Sequence, residues 1–143
     1  MTVRLTDEMQ REHETFRAII GQALGPRVRV RRDPREAEGW PEAPARYGNL
    51  HWRGQHWQTG EARIYAYTDR ARMIPKLLAV PGVRRGQMGN REAAVSMAAE
   101  DRPAIQAVAA LLRMRVRRAP ETGRSAEALA AVRPRSDAAN GLE

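Results

Sequence analysis

The sequence contains no cysteine, a single phenylalanine and no long apolar run. The absence of cysteine excludes disulfides and thiolate metal sites, and it is consistent with a reducing compartment. No segment approaches the roughly 18 consecutive apolar residues that a membrane-spanning helix needs, and the N-terminus has no apolar signal core. We therefore expect a cytoplasmic protein that makes no contact with a membrane.

Large apolar side chains are also scarce, because alanine supplies much of the 42% hydrophobic share. A chain of 143 residues is long enough for one domain with a small core. We predict a single α+β domain over residues 1–118, in which a small antiparallel sheet is covered by two or three helices. Residues 119–143 are predicted to form a flexible C-terminal tail.

Positive charge is concentrated in the middle of the chain. The net charge is +8, and residues 26–60 carry seven basic and four acidic residues, while residues 61–118 carry twelve and five. A basic folded part between two near-neutral ends favours a polyanionic partner, most often nucleic acid. Since all but one of the 25 basic residues are arginine, the coding bias of a GC-rich bacterial or phage genome is the alternative explanation.

Amphipathic helices are predicted near both ends of the domain. Thr6 precedes two acidic residues and an apolar stripe, which predicts a capped helix over residues 7–23 that stops at Gly25. His13 falls beside this stripe and is predicted to be structural. Asp101 begins a last helix, and we attribute the arginines at its end to the helix dipole as well as to a ligand.

The centre of the chain, residues 28–67, is predicted to be rich in β-structure. Val28 and Val30 alternate with arginines, which predicts a short strand with a basic outer face. Residues 35–46 are rich in Pro, Glu, Ala and Gly, so a surface loop is expected there, with Trp40 pinned onto the core.

The run ARIYAYT, residues 62–68, is the clearest strand in the sequence. Arg63, Tyr65 and Tyr67 alternate with small or apolar residues that are expected to pack. This strand opens a βαββα-like unit over residues 61–118 whose first helix contains Pro75. That helix is predicted to begin near Asp69 with a kink or at Pro75 itself, and to end at Pro81-Gly82; a hairpin of 83–87 and 91–97 follows.

Aromatic rings interleaved with arginine are typical of single-stranded nucleic-acid binding, because bases stack on the rings while arginine contacts phosphate. The predicted nucleic-acid-binding residues lie on the central strand, the hairpin or the aromatic segment before them: Trp52, Arg53, Arg63, Tyr65, Tyr67, Arg84, Arg85 and Arg91. For Trp52, base stacking and core packing are equally open. Trp57 is expected to pack in the core.

Residues 61–112 resemble the HARP domain that precedes the motor of some annealing helicases. The positions that carry the resemblance form a strand, a helix, a Pro-Gly step, a strand pair and an acidic helix start: Arg63–Tyr67, Ile74–Leu78, Val80-Pro81-Gly82, Arg91–Met97 and Asp101. The sequence contains no Gly-Lys-Ser/Thr phosphate loop. The resemblance therefore implies DNA binding without ATP hydrolysis.

Catalytic alternatives are few. His51 and His56 would point to opposite faces of a continuous strand, and no third ligand stands at a recognised spacing, so neither a metal nor another cofactor is expected. One alternative is a metal-independent ribonuclease, in which a histidine acts as general base and Arg53 or Arg63 stabilises phosphorane charge near Tyr65. The other is a structural or inhibitory interaction protein in a viral or nucleoprotein assembly. We favour non-catalytic binding of nucleic acid, DNA or RNA.

Overall fold

The computed structural model describes residues 5–56 and 58–115, which form a six-stranded antiparallel sheet and three helices. The elements in chain order are α1 (Asp7–Leu24), β1 (Arg31–Arg32), β2 (Pro41–Ala45), β3 (Gly48–His51), β4 (Arg63–Thr68), α2 (Met73–Leu78), β5 (Arg84–Met88), β6 (Ala93–Ala98) and α3 (Arg102–Leu111). The strand order is β1-β2-β3-β4-β6-β5. The predicted α+β class is confirmed, whereas Trp57 and the predicted tail lie outside the described residues.

The long helices begin and end where local chemistry places their caps. The Thr6 hydroxyl accepts a hydrogen bond of 3.1 Å from the Met9 amide, and the chain leaves α1 at Gly25, which has φ +99°. The Asp101 carboxylate caps α3 by accepting from the Ala104 amide at 3.2 Å. His13 is buried, and its Nε2 lies 2.7 Å from the Gly39 carbonyl oxygen, a structural role as predicted.

The core lies between one face of the sheet and the three helices. Ile64 and Ala66 of β4 are fully buried, as their alternation predicts. Residues opposite each other in a ladder share a face, so Leu50 of β3 and Val95 and Met97 of β6 join them. The helices contribute the rest of the cluster, mainly Phe16, Ile20, Leu77, Ile105 and Val108.

The surface loop predicted over residues 35–46 is wrong in its second half, because Pro41–Ala45 forms β2 between β1 and β3. The Trp52 amide donates to the Pro41 carbonyl, so odd-numbered residues of β2 bond to β3. Pro44 then faces the side of β1, beyond the end of that two-residue strand, where its missing N–H costs no ladder bond. Main-chain pairing thus made a strand of a sequence without a strand pattern.

The strand predicted at Val28 and Val30 begins later, at Arg31. The reason is the loop that follows it: the Asp33 amide donates to the Trp40 carbonyl at 2.9 Å and thereby aligns Arg31 and Arg32 with the start of β2. Trp40 packs partly buried against the core, as expected.

The β5–β6 hairpin and the Pro81-Gly82 turn follow the prediction. Helix α2 starts at Met73, which lies between the two predicted starts, Asp69 and Pro75. Pro75 therefore stands in the first turn of the helix. Gly82 has φ +89°, and a Cβ atom there would lie 2.4 Å from the Asp101 carboxylate, so only glycine fits beside the cap of α3. Over residues 5–56 and 58–115, no helix is both long enough and apolar enough to cross a membrane.

Candidate nucleic-acid interface

The sheet face opposite the helices carries four of the eight predicted binding residues, and we call it the polar face. In β4 the predicted alternation places Arg63, Tyr65 and Tyr67 on it. Cross-strand register adds polar neighbours from the other strands: Arg31, Glu42, Asn49, His51, Arg84 and Ser96. The predicted set is therefore only part of a larger polar surface.

Cations on the polar face are paired with carboxylates. Glu42 is only 1% exposed, and its Oε2 lies 2.7 Å from Nε of Arg31. Arg35, in the loop after β1, brings a second guanidinium within 3.8 Å of the same carboxylate. A carboxylate removed from water requires such partners, so these arginines compensate for its burial.

Arg63 is 8% exposed, which places a predicted phosphate contact below the surface. Its Nε donates to the Ser96 hydroxyl at 2.8 Å, and its Nη1 donates to Glu61 at 3.0 Å. Glu61 also lies 3.3 Å from Nη1 of Arg84. The remaining Nη2 of Arg63 is buried and has no hydrogen-bond partner. Arg63 and Arg84 therefore share one carboxylate rather than forming two unpaired charges.

Trp52 is buried at 1% exposure, and its indole N–H donates to Glu12 of α1 at 2.9 Å. Of the two alternatives open for Trp52, the structure therefore favours packing in the alanine-rich core over stacking on a base. Its neighbour Arg53 is exposed but forms an ion pair with Glu36. Of these two predicted residues, only Arg53 reaches solvent.

The environment of His51, on the polar face, changes its acid–base behaviour. Its Nδ1 lies 2.9 Å from the Asn49 side-chain oxygen, and its ring stacks on Tyr65 with centroids 5.6 Å apart. Because that oxygen only accepts, Nδ1 carries the proton and Nε2 the lone pair. Burial, aided by the charge of Arg53, lowers the pKa of His51 to about 4, so the ring is neutral at neutral pH.

Tyr67 is engaged on both its ring and its hydroxyl. The hydroxyl donates to Glu92 at 2.8 Å, which raises the pKa of the phenol because the carboxylate stabilises its protonated form. The Arg35 guanidinium lies 5.6 Å from the ring centroid. A base that stacked on Tyr67 would have to displace that contact.

The arginines predicted to cluster at the β5–β6 hairpin are divided between two faces. Successive residues of a strand point to opposite sides, so Arg84 lies on the polar face and Arg85 on the other. Arg85 and Arg91 are both exposed, and neither forms an ion pair with a described carboxylate. Within the described residues they are the two arginines of the predicted set that no carboxylate pairs with.

A second group of cations lies where the β2–β3 hairpin loop meets α2 and the end of α3. We call it the basic corner, and it consists of Arg46, Arg70, Arg72, Lys76, Arg113 and Arg115. All six side chains are exposed. Within the described part of the chain none of them forms an ion pair.

Two adjoining grooves run through the basic corner and share Arg113. The larger has a volume of about 910 Å³, and its apolar lining comprises Met73, Leu111, Ala107 and Ala110. The smaller, of about 570 Å³, lies beside the hairpin loop and the segment after α3. No described aspartate or glutamate lines either groove. Over residues 5–56 and 58–115, the basic corner is therefore concave and its grooves are lined by no acidic side chain.

Main-chain hydrogen bonds hold the two sides of the basic corner together. The Tyr47 amide donates to the Leu112 carbonyl at 3.0 Å, and the Arg46 amide donates to the Arg113 carbonyl at 3.3 Å. Two guanidinium groups lie near the Tyr47 ring: that of Arg70 is 4.7 Å from the ring centroid and that of Arg46 is 5.4 Å from it. The hairpin loop thus satisfies carbonyls at the end of α3 and fixes an aromatic ring among the cations.

Arg113 stands at a position that usually belongs to glycine. Its amide donates to the Ala110 carbonyl at 3.1 Å, and the Met114 amide donates to Ala109 at 2.9 Å, the bond pair of a Schellman motif. Its φ of +59° is left-handed, which costs an L-residue on the order of 1 kcal/mol. Because strained residues are often functional, this backbone conformation makes Arg113 a candidate for ligand contact.

The basic corner could not be predicted from the sequence, because its members lie far apart in the chain. The sequence favours a partial role for Arg113 and Arg115 at the dipole of the last helix, but α3 ends at Leu111, so both residues lie beyond it. One signal was present in the sequence: residues 102–118 contain no acidic residue. Uncompensated charge over such a stretch indicates a ligand surface better than the total charge does.

The fold and these two surfaces define a small basic α+β domain with one neutralised and one uncompensated cationic surface. No protein-family model, curated protein or solved structure matches the chain. The resemblance to the HARP domain therefore remains a prediction. Among the described residues, no group of three or more histidine and carboxylate side chains is placed to hold a metal ion.

Proposed function

We propose that this protein binds nucleic acid without cleaving it, and that the basic corner supplies the main phosphate contacts. One observation carries the proposal: six exposed cations without carboxylate partners surround grooves that no described acidic side chain lines. Such a concave cationic surface raises the local concentration of anions.

The chemistry of the cations favours a phosphate backbone as the anion. Five of the six are arginines, whose planar guanidinium groups donate two parallel hydrogen bonds to phosphate oxygens. Several cations on one surface can contact more than one phosphate of a strand, and binding then releases condensed counterions. Arg85 and Arg91, which form no ion pair with a described carboxylate, are proposed as additional phosphate contacts from the predicted set.

The remaining predicted residues have a smaller part in this proposal. Arg53, Arg63 and Arg84 already meet carboxylates, so a phosphate would have to compete with Glu36 or Glu61 for them. Tyr65 and Tyr67 are partly exposed and remain candidates for contacts with sugar or base. The polar face is therefore proposed as a secondary surface.

A ribonuclease is the second candidate, and the neutral His51 ring favours it. Its unprotonated Nε2 is the atom that would accept a proton from a 2′-hydroxyl, and Tyr65 lies against the ring. A pKa of about 4, however, makes the ring a weak base at neutral pH. The cations nearby are paired with carboxylates, which leaves little positive charge for a phosphorane.

The test is fluorescence-anisotropy binding of labelled DNA and RNA to the full chain across a salt series, with probe integrity followed on gels. We expect intact probes and a log affinity that falls linearly with log salt, with a slope of about −0.7 to −0.9 for each phosphate neutralised. Cleavage that is lost in His51→Ala would establish the ribonuclease instead. Absence of binding at low salt would overturn the proposal and direct the search to a protein partner by pull-down.

A further inference from the structure

We infer that the larger groove of the basic corner accepts an unpaired base, so that the protein binds single strands in preference to duplexes. The inference rests on the proposed function and names its ligand more narrowly. It is argued from the lining of this groove, in which apolar residues lie among cations. We call the apolar residues the floor (Met73, Ala107, Ala110 and Leu111) and the cations the rim (Arg70, Arg72, Lys76 and Arg113).

The floor offers a surface to a base rather than to phosphate. Met73 and Leu111 are partly buried, and Ala107 and Ala110 are small enough to leave room above them. A polarisable thioether and aliphatic carbons form favourable contacts with an aromatic ring. The volume of about 910 Å³ lies in the range of pockets that enclose small ligands, so a nucleotide fits within it.

The rim provides cations for the phosphates that adjoin a bound base. Arg70, Arg72 and Lys76 come from the segment that leads into and forms α2, and Arg113 comes from the segment after α3. The phosphates next to a base on the floor would therefore meet cations from two different parts of the chain. Arg70 is already oriented by its contact with the Tyr47 ring, 4.7 Å from the centroid, which reduces the entropy lost on binding.

A duplex cannot use this floor. Its bases are stacked and paired inside the helix, so only its phosphates would reach the rim, whereas an unpaired strand presents base and phosphate together. An acidic peptide would satisfy the rim as well, but its carboxylates gain nothing from the apolar floor. The combination of both features favours single-stranded nucleic acid.

The experiment compares three probes of equal length: a single strand, the duplex of the same sequence, and a single strand with abasic sites. Base stacking contributes about 1–3 kcal/mol per base, so we expect the abasic strand to bind about tenfold more weakly than the intact one. We also expect Met73→Ala to weaken binding of the intact strand by a similar factor of about ten while leaving duplex binding unchanged. Met88→Ala, which truncates a partly buried methionine on β5, is the matched control and should change neither.

Equal affinity for the intact, abasic and duplex probes would overturn this inference and leave the proposed function standing, because phosphate alone would then be recognised. If the wild-type chain bound none of the probes, both the proposed function and this inference would be overturned. A polyglutamate peptide that competes more strongly than the single strand would show that the groove takes an acidic protein segment. Thermal melts of each variant separate a loss of ligand from a loss of fold.

Discussion

The polar face and the basic corner are both rich in arginine, yet they treat its charge in opposite ways. On and around the polar face, Arg31, Arg53, Arg63 and Arg84 each meet a carboxylate. In the basic corner, none of the six cations does so within residues 5–56 and 58–115. The two surfaces are alike in composition. They differ in charge pairing: the paired arginines stabilise the fold, whereas the unpaired cations are available to a ligand.

The largest effect is expected when charge in the basic corner is reversed. The double variant Arg70→Glu, Lys76→Glu removes two phosphate contacts, each worth about tenfold, so affinity for nucleic acid should fall about 100-fold or more. Anisotropy at fixed salt measures the loss. Arg11→Glu, Arg17→Glu on the exposed side of α1 changes the net charge equally, and a matching loss in that control would remove the distinction between local and global charge.

The converse experiment removes a cation from the polar face. Arg31→Met leaves the Glu42 carboxylate, 1% exposed, with only the more distant Arg35, and we expect the free energy of unfolding to fall by about 3 kcal/mol. Urea denaturation provides the measurement. Arg72→Met in the basic corner should stay within about 0.5 kcal/mol of wild type. If the two variants were equally stable, charge pairing would not separate the surfaces.

The polar face should also respond to pH through His51. Its pKa falls from 6.5 in the unfolded chain to about 4 in the fold, so as the pH drops the unfolded chain takes up the proton first. The stability that the neutral ring provides is therefore complete above pH 6.5 and is lost between about 6.5 and 4, by about 2 kcal/mol for a partly exposed ring.

Denaturation curves across this range, compared with those of His51→Gln, measure the contribution of the ring. The variant should show a shallower loss of stability with falling pH. An NMR titration midpoint for His51 near 6.5 would refute the prediction.

The smallest effects are expected at Arg113, where one substitution should raise stability and lower affinity. Arg113→Gly relieves the left-handed backbone strain, so we expect the free energy of unfolding to rise by about 1 kcal/mol. The same change removes a rim cation, and affinity should fall about tenfold. Melting curves and anisotropy on the same preparation test both. A variant that gained stability without losing affinity would remove Arg113 from the interface.

What could be predicted from the sequence was local. The cap at Thr6, the alternation along β4 and the hairpin after Pro81-Gly82 depend on residues close together in the chain, and each appears where expected. Strand β2 could not be predicted, because its two prolines are unfavourable in a strand and its structure depends on pairing with β1 and β3. The buried Trp52 donates a hydrogen bond to Glu12, forty residues away in the chain, and no local pattern reveals that contact.

A basic surface with aromatic rings was expected from the sequence, but the position of the basic corner in the fold was not. Arginines near aromatic rings indicated nucleic acid, and that indication now points most strongly to Tyr47 and its two flanking arginines rather than to Trp52. The basic corner joins the 46–47 loop, the α2 segment and the 107–115 segment, which only the folded chain brings together. Charge pairing depends on the same tertiary contacts, so sequence could not distinguish paired from unpaired arginines.

The two amide hydrogen bonds from Arg46 and Tyr47 to the end of α3 have a thermodynamic consequence. Because they join the walls of the groove, the unfolded chain has no such groove, and any ligand of it binds the native state preferentially. A ligand at a hundred times its dissociation constant would then add about 2.7 kcal/mol to the free energy of unfolding. Hydrogen exchange at these two amides should slow when the groove is occupied, so the β2–β3 loop would report occupancy from within the protein.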